Sequence, residues 1–199
     1  MSHELPSPPP SNDWNDIRHW RVEMRKALIG GRLSLPPELR KAQGDEARRR
    51  LTASVDLSRF RTVGIYWPVR GEIDVRDLAT EYLKGGGRVA LPVVVTKSAP
   101  VEFWRWEPGM PMSKGIWNIP IPAQREVLEP EALIVPLVGW DTQRYRLGYG
   151  GGYYDRTIGA AAVRPFRVGL GYQAARLDSI FPQPHDIPMD LIITDGSRT

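Results

Sequence analysis

Apolar residues recur at helical spacing near the start of the chain, where Ile17, Trp20, Met24 and Leu28 fall on one stripe. Asn12 or Asp13 can cap that helix, because a short polar side chain accepts from the free N–H groups of a first turn. Gly30-Gly31 marks its expected end. Arg21 and Arg25 are four apart and share a face. A second helix, rich in Arg and Ala, is predicted over residues 37–53. The period then changes. Thr62 to Trp67 is a β-rich run bounded by Pro68. Asp74 caps a helix through Lys84, with Val75, Leu78, Tyr82 and Leu83 facing inward, and Gly85-Gly86-Gly87 stops it. Arg88 to Thr96 reads as the next strand, interrupted by Pro92. The result is a strand–helix–strand unit and hence a parallel pair.

Val101 to Trp106 alternates apolar and polar positions, as a half-exposed strand does. Residues 107–131 are rich in Pro and Gly and read as a long ordered loop, a feature that compact domains more often use than carry idly. Ala132 to Val138 is nearly all apolar, as suits a strand buried on both faces. A helix from about Tyr153 to Val163 and strands at Phe166–Leu170 and Leu191–Thr194 complete the pattern. It predicts an α/β fold, with helices packing on a largely parallel sheet. Residues 1–12, dominated by Pro and Ser, have little to bury and are expected to be a disordered tail. Residues 13–199 then form a single domain.

Composition narrows the function. Hydrophobic residues make up 41% of 199, enough for a sizeable core. The 27 Lys+Arg against 23 Asp+Glu leave a mild net charge of +4, without the dense basic patch of a nucleic-acid binder. Arg dominates the cations, and its planar fork suits phosphate and carboxylate ligands. Cysteine is absent, which removes disulfides, thiolate metal sites and thiol nucleophiles. No apolar run approaches the ~20 residues of a membrane span, and no basic-then-apolar leader opens the chain. The expectation is a soluble, cytoplasmic protein without a nucleic-acid or membrane partner.

The densest chemistry lies in Arg146-Leu147-Gly148-Tyr149-Gly150-Gly151-Gly152-Tyr153-Tyr154-Asp155-Arg156, between a buried strand and a helix. Ligands of parallel α/β sheets bind beyond the carboxyl ends of the strands. A helix N-terminus there offers free N–H groups and partial positive charge to phosphate. Glycines at 148, 150, 151 and 152 let the backbone approach a ligand without Cβ interference. Arg146 and Arg156 can hold phosphate oxygens, and the Asp155 carboxylate could bind nucleotide-borne Mg²⁺. A glycine cluster alone can also serve only a tight turn. No Lys-Ser/Thr follows the last glycine, so this is not a Walker loop, and the spacing is not that of a dinucleotide-binding fingerprint.

The stretch from Asp141 through Arg146-Leu147-Gly148-Tyr149-Gly150-Gly151-Gly152-Tyr153-Tyr154-Asp155-Arg156 resembles the signature of the 5-formyltetrahydrofolate cyclo-ligase (methenyltetrahydrofolate synthetase) family. Arg21-x-x-x-Arg25, Glu72-Ile73-Asp74, Leu91-Pro92, the aromatic strand around Phe103, and His185-Asp186 followed by Met189-Asp190 resemble further family segments in the right order. The resemblance implies a Rossmann-like three-layer fold (NagB/RpiA/CoA-transferase-like). It also implies ATP-dependent conversion of 5-formyltetrahydrofolate to 5,10-methenyltetrahydrofolate, with ATP as co-substrate and Mg²⁺ as cofactor. By the same resemblance, Arg146 and Tyr153 act in catalysis, and Arg21, Arg25 and the loop Arg146, Leu147, Gly148, Tyr149, Gly150, Gly151, Gly152, Tyr153 and Tyr154 bind ATP. Trp67, Glu72 and the Tyr149–Tyr153 portion of the loop face the folate, and Asp155 and Asp190 hold the metal. The partners implied are reduced folate and ATP, and the assembly a monomer or weak homodimer. The chain departs from the family pattern at Arg21 (usually Lys), at Arg144 (commonly Gly) and at Ile121 (typically Glu). The last departure keeps open a second reading, a nucleotide-binding paralogue with another substrate or none.

Overall fold

The computed structural model describes residues 5–196; the first four residues of the expected tail and the last three of the chain lie outside it. Residues 5–12 form neither helix nor strand. Helix α1 (Trp14–Ser34) starts at Asp13, whose carboxylate accepts from the Asn15 N–H at 2.8 Å. Its predicted stripe is buried: Ile17, Trp20, Met24 and Leu28 all face inward. Gly30-Gly31 does not end it. The helix runs one further turn, and buried Arg32 there anchors the turn with bonds to the carbonyls of Arg70 and Leu137. Tertiary contacts outweigh the roughly 1 kcal/mol that each interior glycine costs. Helix α2 (Pro37–Ser54) follows, with Pro37 in the first turn, where its missing N–H is not needed.

The main sheet has seven strands: β1 (Thr62–Gly64), β2 (Arg88–Val93), β3 (Glu102–Arg105), β6 (Val127–Leu128), β7 (Ala132–Pro136), β10 (Phe166–Leu170) and β12 (Leu191–Ile193). Their order is β12-β10-β7-β1-β2-β3-β6. The first five are parallel, and β3 and β6 close one edge in antiparallel fashion. Helix α3 (Arg76–Lys84) joins β1 to β2 as the alternation predicts. In β7 successive residues point to opposite faces, so Ala132 and Ile134 join one core while Leu133 and Val135 join the other. The first core packs α2 (Ala47, Leu51) and α3 (Ala79) on the sheet. The second packs α1 and helix α4 (Tyr153–Ala160) on the other face. Helices on both faces of a mostly parallel sheet give the expected three layers.

Two further regions differ from the expectation. Residues 107–131 are not one loop. They contain the hairpin β4 (Met112–Lys114) with β5 (Pro120–Pro122), and then edge strand β6. Strands of two or three residues with prolines among them are too short to show a period. Between β7 and α4 the chain also contributes to a second small sheet, built from β8 (Gly139–Asp141), β9 (Arg146–Leu147) and the later β11 (Arg176–Leu177) in the order β11-β8-β9. Its residues Trp140 and Leu147 fill the core beneath α1.

Candidate active site

A cleft of about 1280 Å³ opens where β1 and β7 end and α4 begins. A drug-sized ligand occupies roughly 300–1,000 Å³, so two substrates can share it. The glycine loop forms one wall. Gly152, at φ +64, precedes α4, and no side chain caps that helix. Its first-turn N–H groups are therefore open to a ligand acceptor. Gly150 has φ +91, and a Cβ there would lie 3.3 Å from the Arg25 guanidinium carbon. The loop thus needs glycine at 150 both for its backbone angle and for the cation stacked on it.

Helix α1 supplies the cations of this wall. Arg25 donates through Nε to the Gly148 carbonyl at 2.6 Å. Burial, then the neighbouring positive charge of Arg21, holds its pKa below the usual guanidinium value. A negative ligand would relieve both effects. Arg21 is differently placed. Buried, it donates to the Ile180 and Phe181 carbonyls and pairs with Asp186 at 2.6 Å. Its charge is already balanced, so it supports the wall more than it offers a free cation.

Arg146 and Asp155 form a buried ion pair at 2.9 Å, and Asp155 also accepts from the Ile187 N–H at 3.1 Å. The Arg146 guanidinium lies 5.4 Å from the Tyr154 ring centroid. Arg146 Nε and the Tyr154 hydroxyl are buried without a hydrogen-bond partner among the described residues. Buried polar groups of this kind are rarely left unmatched, and both belong to residues lining the cleft. Tyr153 packs edge-on against Trp117, with centroids 5.8 Å apart, and Arg156 lies over its ring and donates to the Gly151 carbonyl.

The opposite wall is aromatic and carries one carboxylate. Trp67 stands edge-on to Trp106 with Arg76 over its face. Glu72 accepts from the Tyr149 hydroxyl and from the Val69 N–H, both at 2.8 Å. Burial pushes its carboxyl above the usual carboxylate range, against the pull of those donors and of Arg32 and Arg70.

Every residue expected at the site from Arg21 to Asp155 lines this one cleft, Leu147 with its side chain turned into the core. Asp190, the remaining expected residue, does not. It sits before β12, where Arg167 binds both its oxygens through its backbone N–H and guanidinium. That pairing satisfies an acid beside a strand start without a ligand, and it keeps Asp190 apart from Asp155, the other residue expected to hold the metal. No group of three or more His, Asp or Glu residues that could hold a metal occurs among the described residues. Both Asp155 oxygens are engaged, one by the Arg146 guanidinium and one by the Ile187 N–H. Ile121 packs over Gly115 inside the β4–β5 hairpin and is not part of the cleft lining, so its departure from the family pattern falls outside the cleft wall.

Three contributors have no site role in the reading of the sequence. Trp117, a residue type that more often packs than faces a ligand, is 67% exposed on the cleft wall. His185-Asp186 reaches the cleft with Asp186 on Arg21. Arg32 donates to the Tyr149 hydroxyl at 2.9 Å. Arg32 had a signal: positions 21, 25, 28 and 32 share one face of a continuous helix, but only if Gly30-Gly31 does not break it.

A sequence profile of the 5-formyltetrahydrofolate cyclo-ligase family matches residues 17–195. The 5-formyltetrahydrofolate cyclo-ligase of Mycolicibacterium smegmatis is 32% identical over 183 residues, covering 87% of this chain and 93% of that protein. The Escherichia coli K12 enzyme of the same name is 29% identical, covering 82% and 93%. The solution structure of Aquifex aeolicus 5,10-methenyltetrahydrofolate synthetase superposes with a TM-score of 0.77 at 28% identity, covering 89% of this chain and 91% of that one. The profile spans every element from α1 to β12 and takes in the whole glycine loop, so the chain belongs to the 5-formyltetrahydrofolate cyclo-ligase family.

Proposed function

We propose that the protein closes 5-formyltetrahydrofolate to 5,10-methenyltetrahydrofolate with the consumption of ATP, releasing ADP and phosphate. One observation carries this reading: an uncapped helix N-terminus with its glycine loop and Arg25 faces a half-buried, aromatic-flanked carboxylate, Glu72, across a single cleft. The first half suits a triphosphate and the second an amino-pyrimidinone edge.

The chemistry needs both at once. A formamide oxygen is a poor leaving group. Its attack on the γ-phosphorus expels ADP and leaves an iminium phosphate. The folate N10 then attacks the same carbon, the five-membered ring closes, and phosphate leaves with the former formyl oxygen. The protein has to align the reacting atoms and offset charge on the transferring phosphoryl group. Arg25, the α4 N-terminus and Arg146 are the groups that can do this. Tyr153 and Tyr149 bridge the two halves, and Trp67 walls the folate side. Mg²⁺ enters this scheme with the nucleotide, as the Mg-ATP substrate. No helix among the described residues is long and apolar enough to cross a membrane, and the absence of cysteine suits work in a reducing cytoplasm.

The test is direct. Protein is mixed with 5-formyltetrahydrofolate and Mg-ATP, and methenyltetrahydrofolate is followed by its absorbance. Product is expected. No product at high protein concentration would sink the reading, and ATP binding that persists in that case would favour a paralogue with another substrate.

A further inference from the structure

Arg32 is buried at the far end of α1, at 7% exposure, and makes no salt bridge among the described residues. Its Nε donates to the Arg70 carbonyl at 2.9 Å, Nη1 to the Leu137 carbonyl at 3.4 Å and Nη2 to the Tyr149 hydroxyl at 2.9 Å. That hydroxyl donates in turn to Glu72. One side chain therefore ties together the turn at 69–72, the segment after β7 and the glycine loop. The turn has reason to be tied. Arg70 and Gly71 have φ +48 and +75, and Tyr172 braces the turn from another side by donating to the Gly71 carbonyl at 3.0 Å. Left-handed backbone at a non-glycine residue persists only where surroundings hold it.

Packing alone does not explain the choice of residue. A leucine at this position of α1 would fill space without burying a charge. A buried guanidinium is costly unless something compensates it. Here the compensation is three acceptors, and beyond one of them a carboxylate.

We infer that Arg32 is a positioning residue for the folate half of the cleft, holding the Glu72 carboxylate in place through the Tyr149 hydroxyl. This rests on the proposed function of the cleft, in which Glu72 receives the pterin. Arg32 touches no substrate in this arrangement. It acts on the group that does.

The electrostatics agree. The groups facing Glu72 are Arg32 from α1, Tyr66 beyond β1, Arg70 in its own turn, Tyr149 from the glycine loop, Tyr154 from α4 and Tyr172 beyond β10. Arg32 and Arg70 are the cations of this set. Burial favours the neutral acid, and these two charges with the Tyr149 hydroxyl oppose it. Neutral Glu72 accepts pterin N–H groups poorly. Loss of Arg32 raises the pH at which Glu72 takes up its proton, so folate binding fails at a higher pH.

Calorimetric binding of 5-formyltetrahydrofolate to wild type, R32M, Y149F and the double variant, from mildly acidic to mildly alkaline pH, tests this without turnover. Each single change is expected to weaken binding about tenfold at neutral pH and to move the acid limb of binding to higher pH. The double variant should lose little more than either single one, because both remove the same link. R32K, which restores the charge but not the fork, should bring the acid limb part of the way back. Losses that multiply to about a hundredfold, or an acid limb that stays where wild type has it, overturn the assignment. If R32M does not fold, R32K takes its place in the cycle: it keeps the buried charge but loses the fork, and losses of R32K and Y149F that multiply overturn the assignment. A wild type that binds no folate overturns the proposed function of the cleft instead.

Discussion

The Asp155 carboxylate holds Arg146 against Tyr154 at the mouth of α4. Removing the charge should free Arg146 to turn away from the phosphate path. Asp155→Asn is expected to lower kcat/KM about a hundredfold, or ~2.7 kcal/mol of transition-state stabilisation, in the methenyltetrahydrofolate assay. Wild-type turnover would remove Asp155 from the machinery. Gly150 offers a second test at this scale. An alanine there meets a φ of +91 and a Cβ only 3.3 Å from the Arg25 guanidinium carbon. Left-handed backbone costs a non-glycine residue ~1–2 kcal/mol, and the guanidinium must also give way. Gly150→Ala should raise the KM for ATP about tenfold in initial-rate measurements. An unchanged KM would show that Arg25 does not depend on its seat over the loop.

Among the elements, α1 does most to build the cleft, and its length is where the sequence misleads. Gly31 sits inside the helix, and a Cβ added there would meet no atom within 4 Å. Gly31→Ala should therefore stabilise the protein by ~0.5–1 kcal/mol. Calorimetry should show Tm rising about 2–4 °C per kcal/mol, with turnover unchanged; a fall in Tm would mean the turn is strained. The long periodic elements were legible in the sequence. Ile17, Trp20, Met24 and Leu28 announced α1, and the apolar run at 132–138 announced β7, which ends two residues sooner. The glycine loop was legible because backbone geometry and charge concentrate there in eleven consecutive residues. What escaped was built from tertiary pairing. β8, β9 and β11 have two or three residues each and form only because distant segments meet. Trp117 belongs to the cleft because a hairpin carries it there, and Asp190 leaves it because Arg167 claims it. Neither pairing is a local property of the chain.

For the molecule as a whole, acid should act through ion pairs that hold segments together. Burial alone would raise the Asp186 carboxyl, but hydrogen bonds from Arg21 and the Gln183 N–H bring it below its ordinary 3.8. Asp190 follows the same pattern with Arg167. Both are depressed in the folded state, so the unfolded chain binds more protons as pH falls below about 4. Their stabilisation is present above that pH and is lost as pH drops through the folded values. Tm should decline steeply below about pH 4, and Asp186→Asn should flatten the decline; an unaltered slope would exclude this pair as a cause. A different consequence follows from the path of α1. Arg21, Arg25 and Arg32 ride on one uninterrupted rod, and eleven residues of α-helix span about 16 Å. The rod acts as a ruler between the place where phosphates would lie and the turn that holds Glu72. One inserted residue after Arg25 would swing Arg32 about 100° around the axis while leaving Arg21 and Arg25 where they are. Point substitutions can drift along this helix, but its length is locked.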